Sequence, residues 1–348
     1  MSVFTAPLTP PDVAILRRPA AIRVTWLIVA LVALLALSIA SLAIGTRTVS
    51  VEEVLAALTG DSSSIGAAAV TARIPRTVLA LLVGAALALS GATLQAVTRN
   101  PLADPGILGL SMGASLAVVC GIAFFGMADP VATLVVAIVG SSATGVLVYA
   151  IGSLGRDGAT PLKLALAGAA TAAALGSLVS AIMLPRAQSL TSFRFWQIGG
   201  VGGAVWDRIL LVLPALVLGA ILVHVCARGM NSLALGDDIA VGLGENVART
   251  RIVSAAGALI LCGAATAIAG PIGFVGLIVP HLCRLLVGTD HRWLLPVTAV
   301  VGAGLLTAAD VVGRVIARPD EVEVGIVTAL IGAPVFIALV RRRKMREL

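Results

Sequence analysis

Charge is scarce in this 348-residue chain: 12% of its residues are Asp, Glu, Lys or Arg, while 59% are hydrophobic. Soluble proteins carry about 25% charged residues. The mean hydropathy is +1.08. A water-soluble domain of this composition lacks the polar surface to cover its core, and a disordered chain would have far fewer apolar residues. Aromatic residues make up only 3%, and no basic–aromatic face is present. The net charge of +7 is therefore not read as a nucleic-acid footprint. There are two lysines, Lys163 and Lys344, and neither follows a glycine. A phosphate-binding P-loop needs Gly-Lys, so ATP, if used, must be bound by another chain. The four cysteines (Cys120, Cys226, Cys262, Cys283) lie in apolar stretches without a Cys-x-x-Cys pair. They offer neither a disulfide framework nor zinc spacing. His281 and Cys283 are two apart with no third ligand nearby, so no metal site is expected. Nucleophile–base pairs and paired catalytic carboxylates are also missing, so the chain is not expected to be an enzyme or to bind a cofactor.

What the chain has in quantity is apolar runs. About ten are long enough to cross a bilayer, which takes about 20 residues each. They fall near 24–44, 74–97, 107–126, 130–152, 162–184, 206–227, 250–269, 272–287, 293–313 and 324–340. The eighth is short and carries Pro280, so it is expected to be tilted or incomplete. The first is too long for a signal-peptide core and is read as an uncleaved helix. The expected fold is an all-α integral membrane protein. Residues 1–23 form a polar N-terminal tail, 24–342 the transmembrane domain and 343–348 a basic C-terminal tail.

Ten crossings put both termini on one side. Of the 24 Lys and Arg, 16 then share the side of the termini and 8 lie opposite. The positive-inside bias makes the termini cytoplasmic. Small residues recur every four positions at Gly168, Ala172 and Gly176, at Gly84 and Ala88, and at Gly304 and Ala308. These are helix-packing seams, because lipid gives helices no hydrophobic drive to associate. Two breaks interrupt the apolar runs: Asn100-Pro101-Leu102-Ala103-Asp104-Pro105-Gly106 and Gly270-Pro271-Ile272-Gly273. They are five helices apart, an odd offset, so a repeat relating them would be inverted. Interrupted segments at matching places in two halves point to a transport pathway.

At these breaks the sequence resembles the FecCD-type permeases, the membrane subunits of ABC importers for ferric siderophores, haem and cobalamin. The first half carries Arg73-Ile74-Pro75-Arg76, Gly84, Ser90-Gly91, Gln95 and Arg99-Asn100-Pro101-Leu102-Ala103-Asp104-Pro105. The second carries Leu235-Gly236-Asp237-Asp238, Ala240, Leu243-Gly244, Gly270-Pro271-Ile272-Gly273-Phe274, Pro280-His281, Arg284, Asp310 and Arg314. Thr328-Ala329-Leu330-Ile331-Gly332-Ala333-Pro334 closes the pattern, which runs in order from about 50 to 342. One departure is Glu323, where the family usually has a proline before the Gly of the last span.

The resemblance implies roles that composition does not. The polar segment 228–250 becomes the coupling segment that docks on a separate ATPase, through Leu235, Gly236, Asp237, Asp238, Ala240, Leu243 and Gly244. A short helix is expected to begin near Asp238. Arg73, Arg76 and Arg314, at outer helix ends, become docking residues for an extracytoplasmic binding protein. Each could also be a simple interfacial or helix-end charge. Asn100 and Leu102 become the cytoplasmic gate. Asp310, four residues before Arg314, reads as an i,i+4 ion pair rather than a proton relay. ATP and Mg would sit on the ATPase. A second permease is implied, as a heterodimer by expectation, in the lipid of a bacterial cytoplasmic membrane. The substrate class expected is a ferric siderophore, with Phe193-Arg194-Phe195-Trp196 as a weak pointer; haem and cobalamin are the alternatives. An ion-coupled secondary transporter is the rival of another class, and the shortage of deep ionisable groups weighs against it.

Overall fold

The structure is a computed structural model, and it describes residues 19–45, 49–60, 64–154, 160–186 and 196–344. The tail 1–18, the segment 193–195 and residues 345–348 lie outside the described residues. Thirteen α-helices account for most of what is described: α1 (Ala20–Ala43), α2 (Val51–Leu58), α3 (Ile65–Val97), α4 (Leu110–Phe125), α5 (Pro130–Gly152), α6 (Pro161–Met183), α7 (Trp206–Val225), α8 (Ala227–Leu233), α9 (Asp237–Gly242), α10 (Val247–Ala269), α11 (Val275–Val287), α12 (His291–Ile316) and α13 (Val324–Lys344). Among the described residues there is no strand.

Each expected span has its helix. Seven are long and apolar enough to cross a membrane, and α4, α11 and the apolar part of α13 are shorter. The helices start where the chain supplies caps. Asp129 and Thr160 accept N–H bonds ahead of Pro130 and Pro161, which sit at the first helical position. The eighth span is indeed incomplete: α11 has 13 residues, about 20 Å of helix, and begins only after the 270–273 break. Helix α3 starts nine residues earlier than its apolar run, capped by Ser64. Helix α2 is an addition. Ser50 and Glu53 form a reciprocal capping box at its start, a signal hidden between two spans.

Helix α3 runs through the centre and packs on α12, α10, α11 and α7. Its apolar window is 78% buried, against 6% for α1 at the periphery. The seams explain how helices approach so closely. The Gly302 carbonyl occupies the space where a Cβ on Gly84 would lie, and the backbone of Gly276 does the same at Gly91. Gly168 and Ala172 of α6 receive the backbone of 107–109 in the same way.

An ion pair and a set of hydrogen bonds tie α1 to α12 at the two ends of the bundle. Arg23 at the start of α1 meets Asp290 at the start of α12, 3.4 Å apart. Arg314, near the end of α12, meets Ser41 near the end of α1. Helix α13 starts at this second end and runs back toward the first. The start of α1 and the end of α13 therefore share one end, the lower end; the opposite end is the upper.

Candidate functional site

The upper end holds a knot of buried charge. Arg76 donates from Nε and Nη2 to Asp310 Oδ1, at 3.0 and 2.8 Å, and from Nη1 to Glu321 at 2.6 Å. Arg314 pairs with Asp310 Oδ2 at 2.9 Å, the i,i+4 contact expected from the spacing. Arg314 also donates to the carbonyls of Ser41 and Ile44, at 2.8 and 2.9 Å, and to Ser41 Oγ. Arg73 donates to the carbonyls of Leu42 and Ala43, and Arg318 to that of Gly45. The last carbonyls of a helix have no partner within it, and cations suit the negative end of its dipole. Three arginines thus close the C-terminus of α1. This limits how far the predicted docking residues can face a partner. Arg314 is 1% exposed and Arg73 8%, while Arg76 reaches the half-open carboxylate of Glu321. Glu323 lies beside Gly200 at the same end, and burial raises its pKa above the ordinary carboxylate value.

The two sequence breaks come together inside the bundle. Asn100 Oδ1 accepts from the Leu102 N–H at 3.0 Å, which turns the chain. Asp104 is 1% exposed. Its Oδ1 accepts from the N–H groups of Gly106 and Ile107, at 2.8 and 3.3 Å. The N–H groups of Phe274 and Leu277, at the start of α11, also point to it. Burial nevertheless raises this carboxyl's pKa to about 6, against the pull of those four bonds. A cavity of about 280 Å³ opens here, lined in part by Asp104, Ser111, Met112, Pro271 and Phe274. Gln95 of α3 donates to the Gly276 carbonyl at 2.9 Å and accepts from Arg284. Sequence reasoning named Gln95, Asp104 and Arg284 only as parts of a motif. Their shared task is to satisfy the backbone and side chains where two helices are interrupted.

At the lower end, α8 leads to a turn at Gly236, with φ of 114°, and then to α9. The expected short helix exists but begins at Asp237. Its cap is Gly236, which has no side chain to accept an N–H, and the Asp237 carboxylate at the first helical position pairs with Arg99 and Arg251. Asp237 and Asp238 still place negative charge at the positive end of the helix. Ala240 is fully buried, whereas Leu235, Ile239, Val241 and Leu243 are each more than half exposed. Ile239 and Leu243, four residues apart, share a side of α9 and its C-cap, and Leu235 lies before the turn at Gly236. Open space surrounds Gly236, Gly242 and Gly244. Sequence reasoning missed Ile239 and Val241, which read as part of an ordinary apolar run. Nearby, Asn231 donates to Asp290 and accepts from the His291 backbone N–H. The hydrogen bond from Arg292, with that from Asn231, holds the Asp290 carboxyl well below the usual carboxylate range. Among the described residues no three metal-binding side chains converge.

A family model described as the FecCD transport family matches residues 33–342. The chain belongs to the FecCD transport family. It is a multi-pass membrane permease of the kind found in bacterial ABC importers. It is 45% identical to the ferric enterobactin transport system permease protein FepD of Escherichia coli (strain K12), over 93% of this chain and 96% of that protein. The hemin transport system permease protein HmuU of Yersinia pestis is 41% identical over 78% of this chain and 82% of its own length. Among solved structures, a metal-chelate type ABC transporter in an inward-facing conformation matches with a TM-score of 0.74 at 32% identity. That match covers 92% of this permease and 99% of the solved chain.

Proposed function

We propose that this permease carries a ferric siderophore across the cytoplasmic membrane as one subunit of an ABC importer. The observation that carries the reading is the 45% identity to a ferric enterobactin permease along nearly the whole of both chains. Haem or cobalamin is the second reading, favoured by 41% identity to a hemin permease and 42% to a cobalamin permease, each over a smaller share of the chain. The lower end is cytoplasmic, which the bias of Lys and Arg supports. There the exposed Leu235, Ile239 and Leu243 enter a groove on a separate ATPase, which binds ATP and Mg. Asn100 and Leu102 gate the cytoplasmic end of the pathway. At the upper end a binding protein delivers its cargo. Its carboxylates meet Arg76 first, in competition with Glu321, while Arg73 and Arg314 hold the end of α1 in place. A second, related permease completes the pathway. The open groove of about 520 Å³ along α13, lined by residues including Ile198, Ile326, Leu330 and Pro334, supports such a neighbour.

The test is iron-dependent growth of a strain deleted for this chain. Restored uptake of radiolabelled ferric enterobactin, but not of haemin, on re-expression is the expected result. Restoration of haemin uptake alone replaces the siderophore reading with the haem one.

A further inference from the structure

Helix α3 ends in a geometry that favours glycine, yet the residue there is arginine. The Asn100 N–H reaches back to the Gln95 carbonyl at 3.1 Å, and the Arg99 N–H to that of Ala96 at 3.3 Å. These two bonds make a Schellman ending, whose closing residue is left-handed and most often glycine. Arg99 occupies that place with φ of 49°, a conformation that costs a non-glycine residue free energy. A glycine would serve the backbone better, so the arginine side chain has another task.

Its partners show which. Arg99 Nε donates to the Leu233 carbonyl at 2.9 Å, at the end of α8, which also accepts from the Gly236 N–H at 3.2 Å. Arg99 Nη2 pairs with Asp237, the first residue of α9. One guanidinium thus holds both the end of α8 and the start of α9, across the turn at Gly236. The planar fork of arginine allows this, and a lysine could not make both bonds in fixed geometry. On the other side, Arg99 is joined by one peptide bond to Asn100, whose side chain turns the chain toward Leu102.

We propose that Arg99 is the positioning residue that ties the ATPase-docking segment to the gate loop; this rests on the docking and gating roles proposed above. While α8 and α9 hold the guanidinium, the left-handed turn at Arg99 is kept and the 100–104 loop stays as it is. When the ATPase displaces α9, the two side-chain bonds are lost. The left-handed turn then relaxes, and the gate loop moves with it. The pair itself is exposed, with side-chain exposures of 40% and 43%. It is therefore a weak link that a docked partner can break, since exposed pairs contribute little.

The test uses the full complex, reconstituted with its ATPase, with Leu102→Cys as the labelling parent against which every further variant is compared. A polar maleimide labels residue 102 in the ATP-trapped and nucleotide-free states, and peptide mass spectrometry measures the extent at that position. The parent is expected to differ between the states. Arg99→Gly keeps the backbone turn without strain and removes the guanidinium. It is expected to lose that difference while the ATPase still co-purifies. An undiminished difference in Arg99→Gly overturns the inference alone. So does loss of the ATPase, which would make Arg99 part of the docking surface. Equal labelling in the parent overturns the gate reading, and the inference with it. If Arg99→Gly does not purify as a monodisperse protein, Arg99→Lys serves instead. It keeps the charge but not the fork, and is expected to shrink the difference; a full difference there contradicts the proposal.

Discussion

Replacing Asp310 with Asn removes one charge from a site where burial decides the outcome. The side chain of Asp310 is 2% exposed and stands between Arg76, 13% exposed, and Arg314, 2% exposed. Breaking a buried ion pair from one side costs about 3–5 kcal/mol, because the remaining charge is left without compensation. Here the loss is cushioned. Arg76 keeps Glu321, and Arg314 keeps the Ser41 and Ile44 carbonyls. The low end of that range, about 3 kcal/mol, is therefore expected. For a chain of this size the midpoint of thermal unfolding should fall by roughly 4 °C. Glu321→Gln is the matched control. Glu321 is 37% exposed, so its loss should cost no more than about 1 kcal/mol. The assay is thermal unfolding of the purified permease in detergent, followed by the monodisperse peak in size exclusion. A shift for Asp310→Asn no larger than that of Glu321→Gln would refute the claim that the upper knot is a buried structural pair.

The two loop carboxylates should respond to pH with opposite signs. Burial raises the Asp104 pKa in the folded protein from 3.8 to about 6. The folded state thus binds more protons across that window, and stability falls as pH rises through it. Asp290 is held below its unfolded value, so its contribution is full above the unfolded pKa and is lost as pH falls below it. Melting Asp104→Asn and Asp290→Asn beside the parent between pH 3 and 7 should remove one slope each; parallel curves would contradict both assignments. Gly84→Val should drive a methyl group into the Gly302 carbonyl and cost about 1–3 kcal/mol, read as a lower melting midpoint; an unchanged midpoint would mean that α3 and α12 do not touch there. Changing the exposed Leu235, Ile239 and Leu243 together to Glu should abolish ATPase co-purification while moving stability by no more than about 0.5 kcal/mol per site. Retained co-purification would place the docking face elsewhere.

Much of the helical layout was readable in the chain because lipid demands long apolar runs, and Pro and Gly interrupt them visibly. The seam at Gly84 and Ala88 was readable for a similar reason, since only small residues let backbones touch. The Asp310–Arg314 pair followed from helical spacing. Its third member did not: Arg76 is 234 residues from Asp310, and no local pattern reports such a contact. The same holds for the arginines that close α1, whose partners are backbone carbonyls and carry no sequence signature. Helix α2 was hidden differently. Its Ser50–Glu53 box was present, but at eight residues it is too short to stand out between two spans. Arg99 was visible as part of a motif, whereas its left-handed backbone appears only in three dimensions.

The central claim is that this permease is passive and is driven by ATP bound to another chain. Proteoliposomes containing the permease, its partner permease and the ATPase, with binding protein and ferric enterobactin outside, test it directly. Uptake should begin only when ATP is enclosed with the ATPase, and should stay at background when a proton or sodium gradient is imposed without ATP. Accumulation driven by an ion gradient in liposomes lacking the ATPase would contradict the account and identify a secondary transporter instead.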